Sequence, residues 1–303
     1  MSYTDEFRAF ARRHGVSDDA ITRILWTVRP STHLGMVRPG AIRPEHHVVG
    51  RIGGLPDLPL DTPWENGEYF VADIDLSAIP RQPLYDGLPR EGRLLLFSSV
   101  DYHGAGDDPA RVVHVPPGTP TALRPAPVYE GSHPMFVGDV QKLVEPRVLV
   151  LDSATGWDVL DWLWNDPYAE WNEEEATWIA QLGAAIEEYR ARVGETPVVE
   201  QSTGHLGGVE MNPPYWRADY GREFLRRREE AVITLRDAPE RFDELYALAL
   251  EQASEQEDGL WVNLLEFGED SLHHTGDGEV GWIIERKDLL AQRFDRVRHS
   301  YNC

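Results

Sequence analysis

The sequence predicts an α+β fold, a mixed, mainly antiparallel sheet with helices at the N-terminus and in the middle of the chain. Three observations carry that expectation. Short β-rich runs bounded by Pro, Gly and Asp fill residues 69–150. Strand-like runs return after residue 257. Helical periodicity occupies the N-terminus and much of residues 151–256, without the regular βαβ rhythm of a doubly wound sheet. With 303 residues and 41% hydrophobic content the chain can bury a sizeable core. We read it as a single domain over 1–303, with a helical lead-in (1–47), a first β half (48–150), a helical middle (151–256) and a closing β half (257–303).

Each element has a local reason. Phe7, Phe10, Ala11 and His14 fall at helical spacing. Ser17 reads as an N-cap with Asp18 and Asp19 in the first turn, Ala20, Ile21, Ile24, Leu25 and Val28 form an apolar face, and Pro30 ends that helix. The runs FVADIDL, RLLLFSSV, RVVHVP and RVLVL are strands separated by Pro-rich turns. Trp157–Trp164 reads as a short aromatic helix. Asn172 caps a longer helix whose face carries Ala176, Ile179, Leu182, Gly183, Ile186 and Tyr189. TGHLGGVEMNPPYW reads as a loop and YGREFLRRREEAVITL as a helix. Asp237 and Glu240 form a capping-box pattern opening a helix to about Gln252, with Phe242, Leu245, Tyr246 and Ala249 inward. LWVNLLEF and GEVGWIIE are strands, KDLLAQRF a short helix and RVRHSY a last strand.

Composition narrows the function classes. The formal charge of −23 disfavours nucleic-acid and anionic-membrane partners and suits a basic protein partner or simple solubility. Lysine occurs only at Lys142 and Lys287, so arginine supplies nearly all cations. The single thiol, Cys303, makes no internal disulfide and no Cys-based metal site. The N-terminal residues have no signal-peptide h-region, and no apolar run approaches the length of a membrane helix. A cytoplasmic location is expected.

Two segments share a pattern. FVADIDL leads through a polar gap to EGRLLLF, and VNLLEFGED leads through a polar gap to DGEVGWII. Each is an apolar strand with an acid near its end, then acid-Gly-X-apolar opening a second strand. Gly92 would correspond to Gly278, and Asp73 to Glu266. Chance explains so short a match at least as well as internal duplication does.

GGLPDLPLDTPW, YFVADIDLSAIP and LPREGRLLLF, with the closing LWVNLLEF, GDGEVGWIIERKDL and FDRV, occur in an order that resembles the YwqG-like family, a bacterial family of unknown function. The resemblance runs from about residue 48 to the end. It implies a fold and no activity. Where the family has glutamine near two strand ends, this chain has Asp73 and Glu266; where it has Trp-Gly-Asp, this chain has TGD at Thr275–Asp277; and a Gly-Gly-Tyr-Pro-like loop corresponds to Gly207–Gly208. A ligand site shared with the family would therefore have altered chemistry here.

The stretch from Gly53 to Trp64 holds two adjacent glycines and three prolines. The glycines permit positive φ, the prolines reduce the entropy lost on ordering, and Trp64 supplies an apolar anchor. It reads as a rigid connector or as the rim of a ligand pocket with Gly53 and Gly54 amides exposed. Asp73, Asp75, Glu266, Asp270 and Asp277 are the candidate acids of a cleft between the two halves, completed by His205, His273 or His274. Carboxylates gathered there would hold a shared proton or a cation. No HExxH, EF-hand, P-loop or G-x-S-x-G pattern is present, so no cofactor and no defined metal set are expected. His46–His47 is no ready chelate, since adjacent side chains on an extended strand diverge. Trp157, Trp162, Trp164, Trp171 and Trp178 read mainly as core. The expectation is a non-enzymatic, acidic, protein-binding module, toxin neutralisation being one such role. The alternative is a metal-assisted hydrolase or small-ligand-binding protein using the carboxylates between the halves.

Overall fold

The computed structural model describes residues 3–27, 29–65, 67–79, 87–99, 110–128, 146–151, 157–158, 176–177, 180–181, 183, 201–207, 230–231, 233–235, 238–254, 261–267 and 279–302. Its strands are β1 (Arg29–Val37), β2 (Val48–Ile52), β3 (Asp57–Pro59), β4 (Glu68–Asp75), β5 (Arg93–Ser99), β6 (Arg111–Val115), β7 (Thr121–Leu123), β8 (Arg147–Leu151), β9 (Trp157–Asp158), β10 (Gln201–Gly207), β11 (Trp261–Phe267), β12 (Glu279–Glu285) and β13 (Arg298–Asn302). The helices are α1 (Tyr3–Arg13), α2 (Asp18–Thr27), α3 (Phe242–Ser254) and α4 (Arg286–Leu290). The chain falls into two compact units, one of residues 1–31, 153–197 and 216–260, the other of residues 32–152, 198–215 and 261–303.

In the first unit α1 and α2 form as their periodicity requires. Phe10, Ala11, Ala20, Ile21 and Leu25 are buried. Ser17 Oγ accepts from the Ala20 amide at 3.3 Å, the expected cap. A 3-10 turn at Pro239–Arg241 precedes α3, which buries Phe242 and Ala249. The Arg8 guanidinium lies 5.2 Å from the Phe242 ring centre. Trp157 and Asp158, expected to open a helix, instead pair with Pro30 and Arg29. A non-local ladder partner overrides local preference in so aromatic a segment. The remaining residues of that expected helix, with Asn172, Trp178 and Asp237, lie outside the described residues.

The second unit holds one long sheet in the order β13-β12-β11-β10-β1-β8-β2-β4-β5-β6, with a separate β3–β7 ribbon. Every pair whose register is defined is antiparallel. FVADIDL, RLLLFSSV, RVVHVP, RVLVL, LWVNLLEF, GEVGWIIE and RVRHSY all supply strands, as expected. Five strands, β1, β2, β3, β7 and β10, go beyond the runs expected to be strands, and two of them share a reason. β1 follows α2 directly, and β10 takes up some of the segment read as a loop. Both contain Gly and few residues of strong β preference, and both are held by neighbours in the middle of the sheet.

Chain order and spatial order are interleaved. β1 lies between β10 and β8, while β8 lies between β1 and β2. The strand that opens the chain therefore sits beside the closing strands, and β8 beside the opening ones. β1 and β8 meet with Leu34 opposite Leu151 and Val37 opposite Val148. Val37 and Val150 are buried with Val148 packed on them.

The sheet also curls. β12 and β5 are seven positions apart, about 34 Å if the sheet were flat. Yet the buried Trp282 Nε1 on β12 donates to the Phe97 carbonyl on β5 at 3.0 Å. The His114 ring on β6 meets that of Phe294, in the 3-10 turn before β13, in a tilted contact with centres 5.7 Å apart. A Cβ on Gly87 would lie 2.6 Å from the Leu289 backbone of α4. Residues 50–99 and 261–302 are thus in direct contact.

The β4–β5 and β11–β12 pairs share their details. Asp73 lies opposite Leu95 and Glu266 opposite Gly281. The register of the first pair shifts between Phe70 and Ala72, and that of the second between Asn263 and Leu265. Counted back from the acid, the bulged residue falls at the same place, Val71 in one and Leu264 in the other. Each bulge inserts one residue, so side chains three apart in sequence come to the same face: Phe70 with Asp73, and Asn263 with Glu266. On the inner side, Arg51 lies opposite Asp73 and His205 opposite Glu266.

Candidate functional site

The site begins with one face of β2, β4, β5 and β6. Alternation puts Phe70, Leu95, Phe97, Val113 and Val115 on that face. Leu58 of β3 and Trp64 close over them. Trp64 meets Phe97 edge-on with ring centres 6.0 Å apart, and its Nε1 donates to the Glu68 carbonyl at 3.2 Å. The segment from Gly53 to Trp64 is therefore a strap lying across the sheet. Gly53 and Gly54 start it with φ of 68° and 78°, a left-handed pair that other residues adopt only with strain. The Gly53 amide donates to the carbonyl of the bulged Val71 at 2.7 Å, so it is turned to the sheet.

A strap rich in proline forms little regular ladder, and its carbonyls need other donors. Arginines supply them. Arg51 donates to Gly53 O at 3.0 Å and to Leu55 O at 2.6 Å. Arg93 donates to Asp57 O at 3.2 Å, Arg124 to Leu60 O at 2.8 Å, and Arg111 to Pro63 O at 2.6 Å. The guanidinium fork, with five donors fixed in a plane, can hold a carbonyl and a carboxylate at once.

Asp73 is the anion at the centre. It is 6% exposed. Its Oδ2 accepts from Arg93 at 2.9 Å and lies 3.6 Å from Arg51 Nε, while Oδ1 is buried without a hydrogen-bond partner. The Arg93 guanidinium is also 3.7 Å from the Asp57 carboxylate, and Arg51 lies over the Phe70 ring at 5.1 Å. Burial pushes the Asp73 pKa up and outweighs the opposing pull of Arg93 and Arg51. Burial likewise lowers that of Arg51, opposed by Asp73. Glu68 repeats the arrangement at the far end of the strap: it accepts from Arg111 at 2.6 Å, and burial still raises its pKa.

The other sequence candidates fall elsewhere. Asp75 is exposed and accepts from the Ser77 amide and hydroxyl, a turn-forming role. Glu266 sits on β11, five strand positions from Asp73, about 24 Å along the sheet. The expected gathering of these two acids is replaced at Asp73 by two guanidiniums. Glu266 is 7% exposed and accepts from Asn263 Nδ2 at 2.6 Å. His205 is its cross-strand neighbour on β10, and Gly207 ends that strand. Gly208, Asp270, His273, His274 and Asp277 lie outside the described residues. His46 Nδ1 accepts from the Arg43 amide, and His47 Nε2 donates to Ala78 O, so each ring of the adjacent pair bonds the backbone. No group of three metal-ligating His, Cys, Asp or Glu side chains occurs among the described residues. No helix among them is long and apolar enough to cross a membrane.

Sequence reasoning missed the arginines and Asn263. A signal existed: Arg51, Asp73 and Arg93 each fall on the strap-facing register of an apolar strand, where charge is costly unless paired. The preference for arginine over lysine was visible, but its carbonyl partners were not.

Residues 50–303 match a domain of unknown function, DUF1963. The chain belongs to this family. No curated protein matches the chain. The DUF1963 match begins at Gly50, so it takes in the strap, both bulged strand pairs and the closing α4–β13 segment.

Proposed function

We propose that this DUF1963 protein is a non-catalytic binding module that takes a basic protein partner on the outer side of the strap, within one domain spanning 1–303 in the cytoplasm. The observation that carries the reading is the strap's two-sidedness. Its inner side is fixed by Leu58, Trp64 and four arginines. Its outer side and the paired β7 segment leave Leu60, Leu123 and Val128 exposed beside the exposed Asp61 and Glu65. A preorganised surface binds at a smaller ordering cost. Exposed apolar side chains next to acids, in a chain of formal charge −23, complement a segment that is both basic and apolar. Neutralisation of a basic toxin is one role such a surface suits.

The test uses the full chain as bait in native lysate at low and high salt, with Leu60→Arg and Leu123→Arg as controls. A basic protein retained at low salt, released by salt and lost with both variants supports the reading. Retention unchanged by those variants, or no retained basic protein, overturns it.

We also propose that the two sheet wings descend from one duplicated unit, the leading strands β1 and β8 being exchanged between them. The matched bulges, the Asp73–Leu95 and Glu266–Gly281 registers and the mirrored strand order support this reading.

A further inference from the structure

We propose that the outer edge of β7 takes up an extended, basic segment of the partner polypeptide as an added β-strand, an inference that rests on the basic-partner reading above and says how that partner is held. β3 and β7 pair with Asp57 opposite Leu123, Leu58 opposite Ala122 and Pro59 opposite Thr121. At the two ends the Arg124 amide donates to Pro56 O at 3.1 Å and the Leu60 amide to Pro120 O at 3.3 Å. Antiparallel pairs alternate between those that exchange hydrogen bonds and those that do not. The bonded positions are therefore Pro56–Arg124, Leu58–Ala122 and Leu60–Pro120. Thr121 and Leu123 fall between them, so their amides and carbonyls point away from β3. Among the described residues β7 has no second ladder partner, and no other main-chain group takes up these amides and carbonyls. The opposite edge of the ribbon is already in use. Asp57 O accepts from Arg93 at 3.2 Å, Pro59 O accepts from the Thr62 amide at 3.0 Å, and Pro59 has no N–H to offer.

Side chains say what kind of strand fits. Leu123 is 66% exposed and stands on the face of the ribbon away from the buried Leu58, with Asp57 directly across from it. The Asp57 side chain stays 36% exposed beside Arg93, and Asp61, one residue past Leu60, is exposed. Arg124 is the one charged residue between Pro116 and Val128, and its guanidinium is turned to Leu60 O. An incoming strand therefore meets an apolar side chain beside carboxylates. Apolar residues in alternation with basic ones complement both, and the formal charge of −23 attracts the same segment. Pro120 and Pro125 bracket the edge. Proline offers no donor, so the added ladder is short, about five residues of partner, and the edge does not template an extended sheet. Main-chain bonds to the edge supply affinity, and the alternate side chains supply selectivity.

Calorimetric titration of the full chain tests this with acetyl-Arg-Val-Arg-Val-Arg-amide and its glutamate counterpart, acetyl-Glu-Val-Glu-Val-Glu-amide. Two further probes are N-methylated forms of the first, one on both valines and the other on all three arginines. In an added strand only alternate amides face β7. One methylated form should therefore bind like the parent, and the other about tenfold or more weaker. The glutamate peptide should not bind, and salt should weaken the parent. Leu123→Pro removes one edge donor and leaves every β3–β7 bond its donor and acceptor, so it should weaken the parent about tenfold with an unchanged circular dichroism spectrum. No binding of the parent, equal loss with both methylated forms, or full affinity in Leu123→Pro overturns the proposal. Equal retention of both methylated forms removes the strand and leaves the basic-partner reading standing. Equal binding of the glutamate peptide removes both. Concentration-dependent pairing of the chain, seen by sedimentation and lost in Leu123→Pro, would give the edge to a second copy and also overturns the proposal. The methylated peptides decide on wild type alone, even if the variant does not fold.

Discussion

Gly50 and Asp73 show how little room the strap-bearing sheet leaves. A Cβ on Gly50 would stand 2.1 Å from the Asp73 carbonyl oxygen, a backbone atom held in the β2–β4 ladder. Gly50→Ala should therefore push these central strands apart and cost about 3 kcal/mol, read as a lowered midpoint in urea denaturation. Asp73 makes a prediction of opposite sense to the usual carboxylate. Its pKa is raised in the folded state, so the folded protein holds that proton more tightly than the unfolded chain does. Its contribution is complete below about 3.8, the ordinary aspartate value, and is lost as pH rises through the folded value. Relative to Asp73→Asn, wild type should gain stability between pH 7 and pH 4.5. Paired denaturation curves at the two pH values check this, and a wild-type protein that loses ground to the variant on acidification contradicts it.

At the scale of elements, the strap is held unevenly, and that is measurable. Arg93 sits against a buried acid, whereas the half-buried Arg124 reaches only a carbonyl. Arg93→Ala should cost about 3 kcal/mol, since it strips a buried carboxylate of its nearest cation. Arg124→Ala should cost under about 1 kcal/mol, yet speed amide exchange in residues 60–63. Hydrogen exchange with mass readout distinguishes the two. These elements also mark what a sequence can and cannot tell. RLLLFSSV and WVNLLEF were legible because continuous apolar runs near Gly and acidic turns have few alternatives to a buried strand. β1 and β10 were not, because PSTHLGMV and QSTGHLG carry Pro or Gly and become strands only through neighbours far away in the chain. Asp73 and Glu266 stood out as acids in apolar runs. Their surroundings did not, because the arginine-to-carbonyl contacts join residues up to 64 apart.

For the whole molecule, the exchange of β1 and β8 between the wings sets how the chain can be divided. A cut between Val128 and Pro146 leaves β1 in the first fragment, while its neighbours β8 and β10 are in the second; β8 in turn neighbours β2 in the first. Neither fragment can complete its share of the sheet alone. Coexpressed fragments 1–137 and 138–303 should copurify as a folded pair, with each insoluble or unfolded when made singly. Circular dichroism and size-exclusion chromatography read the result, and an independently folded fragment would refute it.

The arginine fastening also bears on how the protein can be handled. Guanidinium stays charged far into alkaline solution, and acylating reagents aimed at amines pass it by. Dyes, fixatives and acetyl transfer to side-chain amines can reach only positions 142 and 287. A fluorophore attached through amine chemistry should therefore leave the Gly53–Trp64 crossing seated as it is in the unlabelled protein.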